Sequence, residues 1–249
     1  MAEHDIINMA FSEIGESPIT SVEWALGASG TLPKTQKAYA IYSKVRDSVL
    51  RSHYWNCCIK YAEIMEDTTA DPIHTYSHQY SLPNDYIRIV DVMPREDEIT
   101  YKIAGQKLLT DEASGPDQWT VGTYYPLDKY VSYNSVTYKC KSAHTGSATY
   151  LPDEVSSTKW TSQSGDYDVL DIIYVYQNTD DTKWDALLKE VIATRLAIKL
   201  AITIGGDQNI YQRLMQYYTQ ILLPQAKTID AQEETPDKIL TQTWISEME

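Results

Sequence analysis

Residues 118–141 read QWTVGTYYPLDKYVSYNSVTYKCK, a stretch unlike the sequence on either side of it. Its aromatic and β-branched residues show no helical period, which predicts short strands. Asn134 and Ser135 separate two of these strands, and because Asn tolerates a positive φ, the pair predicts a two-residue hairpin turn. Over residues 117–164, four acidic residues balance four lysines, whereas the whole chain has a net charge of −14. This contrast predicts a separate β module over residues 116–165.

Working outward from the module, the sequence has the period of amphipathic helices at both ends. A first helix is predicted over residues 4–14 and a second over 35–52, joined by a long connection rich in Gly, Ser, Thr and Pro. A third helix, packed on two sides, is predicted from Thr179 to Gly205, and a fourth over 208–227, which a proline must kink or end. That proline is Pro224, and the candidate N-caps of the third helix are Asp180, Asp181 and Thr182.

Between the helices the hydrophobic period changes to two, which is typical of half-buried strands. Such strands are predicted within residues 55–65, 78–94, 100–110 and 167–178. The expected fold class is therefore α+β: a helical bundle of about four helices with a small antiparallel β part and an inserted all-β module. The expected division of the chain is a main domain in two parts, 1–115 and 166–249, with the module at 116–165.

The charge and the cysteines exclude several classes of protein. An excess of 35 acidic over 21 basic residues argues against a sequence-independent nucleic-acid binder. Cys57, Cys58 and Cys140 lack the spacing of metal ligands, and an adjacent pair is a poor disulfide, so we expect reduced thiols. The acidic N-terminal segment does not resemble a signal peptide, and no stretch approaches the ~20 apolar residues of a membrane span. We therefore expect neither secretion by that route nor a membrane protein.

Catalytic motifs are scarce in this sequence. It contains no P-loop, no paired-glycine dinucleotide motif, no HExxH and no GxSxG. His74 and His78 are four residues apart, but they lie in a predicted loop and strand rather than on a helix. We therefore predict no catalytic residue, no metal site and no cofactor. A pair of hydrolytic carboxylates stays open, because its diagnostic feature is a separation in space.

The module resembles a known family through the longer stretch QWTVGTYYPLDKYVSYNSVTYKCKSAHTGSATYLPDEVSSTKW. With a Trp at each end, a hairpin of the form VxYNGxTYKC, an HT pair and an aromatic residue before a proline, it is similar to the small chitin-binding type of carbohydrate-binding module. The resemblance implies core roles for Trp119, Trp160, Tyr133 and Tyr138 and places the exposed sugar platform at Tyr150. Tyr150 stands where the family usually has Trp, and Ser135 replaces the glycine of the hairpin turn. The module is accordingly either a weak glycan binder or a structural decoration that has kept the fold and lost the ligand.

The flanking sequence has a second resemblance, carried by INMAFSEIGESPITSVE, AIYSKVRDSVLRSHYWN, YSLPNDYIRIVDV, TKWDALLKEVIATRLAIKLAITI and AKTIDAQEETP. In order and spacing these segments resemble the tail tubular protein A family of short-tailed phages, the head-to-tail adaptors or gatekeepers. The resemblance implies a podovirus virion protein, assembled in the host cytoplasm and located in the tail at the head-to-tail interface. It would form a dodecamer, a ring of about twelve copies, between the portal protein and the tail nozzle protein. Genomic DNA would pass through without specific binding, since an acidic lumen repels phosphates.

The acidic C-terminal tail is too polar for a core element. Its apolar anchor consists of Ile239, Leu240, Trp244 and Ile245, which we expect to dock on a neighbouring subunit or on the next ring of the tail. The module, inserted in a loop between strands, is expected to point outward. Repeated around a ring, it would give weak adhesion to host surface glycans through avidity.

Two alternatives from other classes remain open. The first is a carbohydrate-active enzyme with an attached binding module, which requires two acids at hydrolytic separation in a cleft. The second is a free-standing lectin-like adhesin, which would be active as a monomer.

Overall fold

The computed structural model describes residues 3–73, 75–93, 99–112, 114–148, 151–153, 157–163, 165 and 167–233. The chain divides into two compact units, one formed by the residues up to Cys58 and from Asn178 onward, the other by Ile59–Gln177. The described α-helices belong to the first unit, the helical unit, and the described strands belong to the second, the β unit. The predicted α+β class is therefore confirmed.

Helix α4 is the centre of the helical unit. The described helices are α1 (Glu3–Glu13), α2 (Ser21–Ala25), α3 (Pro33–Ser52), α4 (Ala186–Leu200), α5 (Gln208–Tyr217) and α6 (Leu223–Gln232). Because α4 contacts α1, α3, α5 and α6, apolar side chains are buried around most of its circumference, including Leu188, Ile192 and Leu196. The prediction that this helix packs on two sides is confirmed, and the described helical segments before Cys58 and after Asn178 belong to one body.

Helix α4 begins later than the sequence predicts. Asp180 caps only a short 3₁₀ turn, Asp181–Lys183, by accepting a hydrogen bond from the Thr182 N–H at 3.2 Å. The chain then becomes extended, and Asp185 caps α4 by accepting from the Leu187 N–H at 2.8 Å. Each carboxylate satisfies a backbone N–H that has no partner inside the helix. The prediction of an earlier N-cap is therefore wrong for α4.

Two further segments differ from the predicted helix pattern. The long connection before α3 contains α2, whose N-cap Thr20 accepts a hydrogen bond from the Glu23 N–H at 3.2 Å. The last helical stretch does not end at Pro224, because a π-helical segment, Tyr218–Leu222, leads into α6 and the proline occupies the first turn of that helix. A proline is tolerated there because first-turn N–H groups need no helical acceptor.

Two antiparallel sheets form the main part of the β unit. In the first, β11 (Val169–Tyr176) lies between β1 (Ile59–Met65) and β3 (Tyr86–Met93). In the second, β5 (Lys107–Thr110) lies between β2 (His78–Ser81) and β4 (Tyr101–Ala104). All six strands fall within segments predicted as strands. Both sheets contribute to one hydrophobic cluster, whose buried members include Ile64, Tyr80, Leu108, Leu170 and Ile172.

The predicted module is inserted between β5 and β11 and has small sheets of its own. One antiparallel sheet contains β10 (Trp160–Ser162), β8 (Val136–Cys140) and β7 (Tyr130–Tyr133), while β6 (Tyr124–Tyr125) pairs with β9 (His144–Thr145). The compact unit that contains the module extends beyond the expected boundaries of 116 and 165, to Ile59 and Gln177. The module and the two larger sheets are thus parts of one unit.

Candidate functional site

The core of the module is a cluster of aromatic residues. Trp160 is buried, and its ring packs edge to face on Tyr125 with 5.2 Å between ring centroids. Trp119 packs in the same way on Tyr133, with 5.3 Å between centroids. Tyr138 is buried in this cluster as well. Trp160 and Tyr138 are thus buried in the core, as the resemblance implies, whereas Trp119 and Tyr133 are partly buried and pack against it. Edge-to-face aromatic pairs stabilise so small a core.

A two-residue turn joins β7 to β8, as the sequence predicts. Asn134 has a φ of 51° and Ser135 a φ of 59°, the left-handed conformations that a type I′ hairpin turn requires. The side-chain amide of Asn134 donates a hydrogen bond to Asp153 Oδ2 at 3.0 Å. This bond ties the hairpin to the segment that follows the predicted sugar platform.

Tyr150, the predicted sugar-binding residue, lies outside the described residues, but the segment 151–153 that follows it is described. A cavity of about 330 Å³ opens beside this segment. Two buried rings, Tyr138 and Trp160, lie beside it, and the rest of its lining is mainly polar: Lys141, Pro152, Asp153, Ser157, Thr161 and Ser162. Since both rings are buried, the polar groups are what these lining residues offer to the hydroxyls of a sugar.

The electrostatics of this cavity suit a ligand rich in hydroxyl groups. Burial raises the pKa of Tyr138, and the nearby charge of Asp153 raises it further, so the phenol stays protonated at neutral pH. The Lys141 ammonium donates to the carbonyl oxygen of Ser157 at 3.4 Å, which holds its charge at the cavity. A neutral phenol, an ammonium and a carboxylate together offer hydrogen-bond donors and acceptors.

An ion pair attaches the module to strand β1. Lys129, in the module, contacts the carboxylate of Glu63 and lies 3.0 Å from Asp117 Oδ2. The other Glu63 oxygen accepts a hydrogen bond from the Tyr130 backbone N–H at 2.6 Å. Burial raises the pKa of Glu63 despite these bonds. Burial acts to lower the pKa of Lys129, but the hydrogen bonds to Glu63 and Asp117 have the larger effect, so the pKa of Lys129 is raised. The module is therefore docked on β1 and not merely tethered by its two ends.

A second cavity, of about 430 Å³, lies beside this ion pair. Tyr61 is 75% exposed and supplies an aromatic face to it, while Leu127 from the module and Asp171 from β11 complete the lining next to Glu63. The sequence pattern does not predict this site. Strand alternation already places Tyr61 and Glu63 on one face of β1, but nothing in the local pattern indicates that the module folds back onto that face.

The residues predicted to dock on neighbouring subunits, Ile239, Leu240, Trp244 and Ile245, lie outside the described residues. The described part of the helical unit nevertheless exposes large apolar side chains, namely Val22, Leu26, Leu32, Tyr39, Ile202, Tyr217, Ile221 and Ile229. Tyr217 and Ile221 are four residues apart in a continuous helical stretch, so they lie close together on its surface. Tyr217 and Ile221 therefore form a small exposed apolar pair on the helical unit.

The cysteines and histidines complete the set of predicted residues. Cys57, Cys58 and Cys140 are free thiols, as predicted. His74 lies outside the described residues, whereas His78 begins β2 with its Nδ1 2.7 Å from Glu66 Oε1.

Neither the models of known protein families nor the curated proteins contain a match to this chain. Across the part of the chain that the structure describes, no helix combines the length and the apolar character needed to cross a membrane.

Proposed function

We propose that this chain is a structural subunit of a short-tailed phage virion: a ring-forming head-to-tail adaptor of the tail tubular protein A type, without enzymatic activity. The observation that carries this proposal is the packing of the two flanking segments around α4 as one helical body. A ring subunit needs such a body, because its contacts with neighbouring copies repeat at a fixed rotation. The resemblance of both flanks to one family, in order and in spacing, supports the same function.

The exposed apolar side chains of the helical unit would form the contacts between copies. Rings are closed by heterologous interfaces, in which one surface of a subunit meets a different surface of the next. The helical unit offers apolar side chains in two separate regions of the sequence: Leu32 and Tyr39 at α3, and Tyr217 and Ile221 in the last helical stretch. The net charge of −14 suits a channel through which a phosphate backbone slides without binding.

Negative-stain electron microscopy and mass photometry of the purified chain, alone and mixed with a portal ring, test this function. We expect rings of about twelve copies that stack on the portal. The double substitution Tyr217→Ser and Ile221→Ser should abolish the rings, whereas Tyr61→Ser, a matched change at an exposed aromatic residue of the β unit, should leave them intact. A chain that stays monomeric with the portal present, or that releases sugar from a polysaccharide, would contradict the adaptor function and favour the adhesin or the enzyme, respectively.

We also propose that the module binds glycans weakly and that a ring of modules gains avidity for a host surface. The cavity beside residues 151–153 supports this second function, because Asp153 and Lys141 contribute polar groups that can bond to sugar hydroxyls. Even a weak single site gains a factor of roughly 10²–10⁴ when several modules reach the same surface.

Retention of the assembled protein on chitin and on bacterial polysaccharides tests the glycan site. Tyr150→Ala should abolish retention, whereas Tyr124→Ala, at a tyrosine of the same module that is 63% exposed, should not. If the protein is not retained at all, or if both variants are retained equally, the module is a decoration without a ligand at this position.

A further inference from the structure

Three potential metal ligands meet at one end of the core between the two larger sheets. His78 Nδ1 lies 2.7 Å from Glu66 Oε1 and 3.8 Å from Asp168 Oδ2, and the three ligand atoms all lie within 4.8 Å of one another. Around a tetrahedral zinc ion with bonds of about 2.0–2.2 Å, neighbouring ligand atoms are roughly 3.3–3.6 Å apart. Small side-chain rotations would bring these three atoms to that spacing.

The backbone fixes this arrangement. The Glu66 N–H donates to the Asp168 carbonyl oxygen at 2.8 Å, which continues the pairing of β1 with β11, and Glu66 also forms a bridge with Tyr80 of β2. Residues directly opposite in antiparallel strands place their side chains on the same face, and so do residues two apart in one strand. Glu66, Asp168, Tyr80 and His78 therefore share one face, although Glu66 follows β1, Asp168 precedes β11 and the other two belong to β2.

Tyr80 provides a second observation. Its side chain is 0% exposed, and its hydroxyl has no hydrogen-bond partner among the described residues. A buried hydroxyl without a partner is costly. Because Tyr80 shares one face with the three ligands, a water molecule held by an ion on that face would offer the hydroxyl a partner.

We propose that Glu66, His78 and Asp168 bind a divalent transition-metal ion of the zinc class, and that the bound ion cross-links β1, β2 and β11. An imidazole with two carboxylates is a donor set that Zn²⁺ accepts, and three protein ligands leave a position for water. The ligands are partly buried, with side-chain exposures of 17, 23 and 29% for Glu66, His78 and Asp168, so an ion can reach them from solvent. The site does not depend on the ring function proposed above, and it differs from the expectation that His74 and His78 bind no metal.

Isothermal titration calorimetry of the EDTA-treated full chain with ZnCl₂ tests the site. We expect a binding event with one Zn²⁺ per chain that His78→Gln abolishes and that Glu66→Gln and Asp168→Asn each weaken at least tenfold. The matched control is His53→Gln, because His53 also pairs with a carboxylate, Asp230 at 3.0 Å, but belongs to no three-ligand group among the described residues. This control should bind zinc as the unmodified chain does.

Cobalt substitution keeps the proposal testable if a ligand variant fails to fold. Co²⁺ added to the unmodified chain should give visible absorption typical of a low-coordinate site, and an equal amount of Zn²⁺ should remove it. If zinc does not bind to the unmodified chain, or if the three ligand variants fold and bind zinc as tightly as the control, the cluster is only an ion-pair network and the proposal is wrong.

Discussion

Lys129→Met should loosen the docking of the module more than Glu63→Gln does. In the Lys129 variant, the Glu63 side chain, which is 8% exposed, keeps only the Tyr130 N–H as a partner. Leaving a fully buried charge unpaired costs about 3–5 kcal/mol, and because this pair is partly exposed we expect about 2 kcal/mol. In the Glu63 variant, Lys129 keeps Asp117 at 3.0 Å and the Gln carbonyl can still accept from Tyr130, so we expect about 1 kcal/mol.

Hydrogen exchange of the peptide that spans residues 126–131 measures this loss in the full chain, because the opening of the docked module controls its exchange. At tenfold per 1.4 kcal/mol, the expected acceleration is roughly thirtyfold for Lys129→Met and fivefold for Glu63→Gln. Burial raises the pKa of Glu63, so the protonated carboxyl is the form that folding favours. The loss in Lys129→Met should therefore grow as the pH rises from 5 to 8 and Glu63 ionises. Equal exchange in both variants, or a larger effect of Glu63→Gln, would refute the reasoning.

Two further substitutions test local features of the fold. Ser135→Gly should stabilise the hairpin by about 0.5 kcal/mol, because relief of the left-handed strain at a φ of 59° exceeds the added entropy of glycine in the unfolded chain. The backbone amides of β7 and β8 should then exchange about twofold more slowly. The control Ser135→Ala should give no such gain. Asp185→Ala should destabilise the helical unit by about 1 kcal/mol, because the N-cap of α4 is lost. Chemical denaturation followed by circular dichroism would measure this loss of stability. An unchanged denaturation midpoint would contradict the assignment of this cap.

Local features of the fold could be predicted from the sequence. The predicted helix at 35–52 is α3, Pro33–Ser52, because the spacing of its apolar residues Ala38, Tyr42, Val45 and Val49 is a property of the segment itself. The hairpin turn at Asn134 and Ser135 could be predicted for the same reason, since the φ preference belongs to the turn residues.

Contacts between distant segments could not be predicted. Glu63 meets Lys129, and Glu66 meets Asp168, only because β11 returns beside β1 after the whole module. No residue pattern near Glu63 or Glu66 distinguishes these acids from those on solvated faces. The late start of α4 was missed for a related reason: Asp180 and Asp185 are both suitable N-caps, and the 3₁₀ turn between them decides which one the helix uses.

Strand β1 carries both candidate features, and its alternation separates them. Tyr61 and Glu63 face the docked module, whereas Ala62 and Ile64 belong to the core between the two sheets, and Glu66 continues that core face. Removal of a bound metal ion with EDTA should therefore speed the exchange of amides in β2 and at the start of β11 while the amides of residues 126–131 keep their rates. Hydrogen exchange of the zinc-loaded and EDTA-treated chain would show this difference. If the module loosens together with β2, the two faces of β1 are coupled, and the separation argued from strand alternation does not hold.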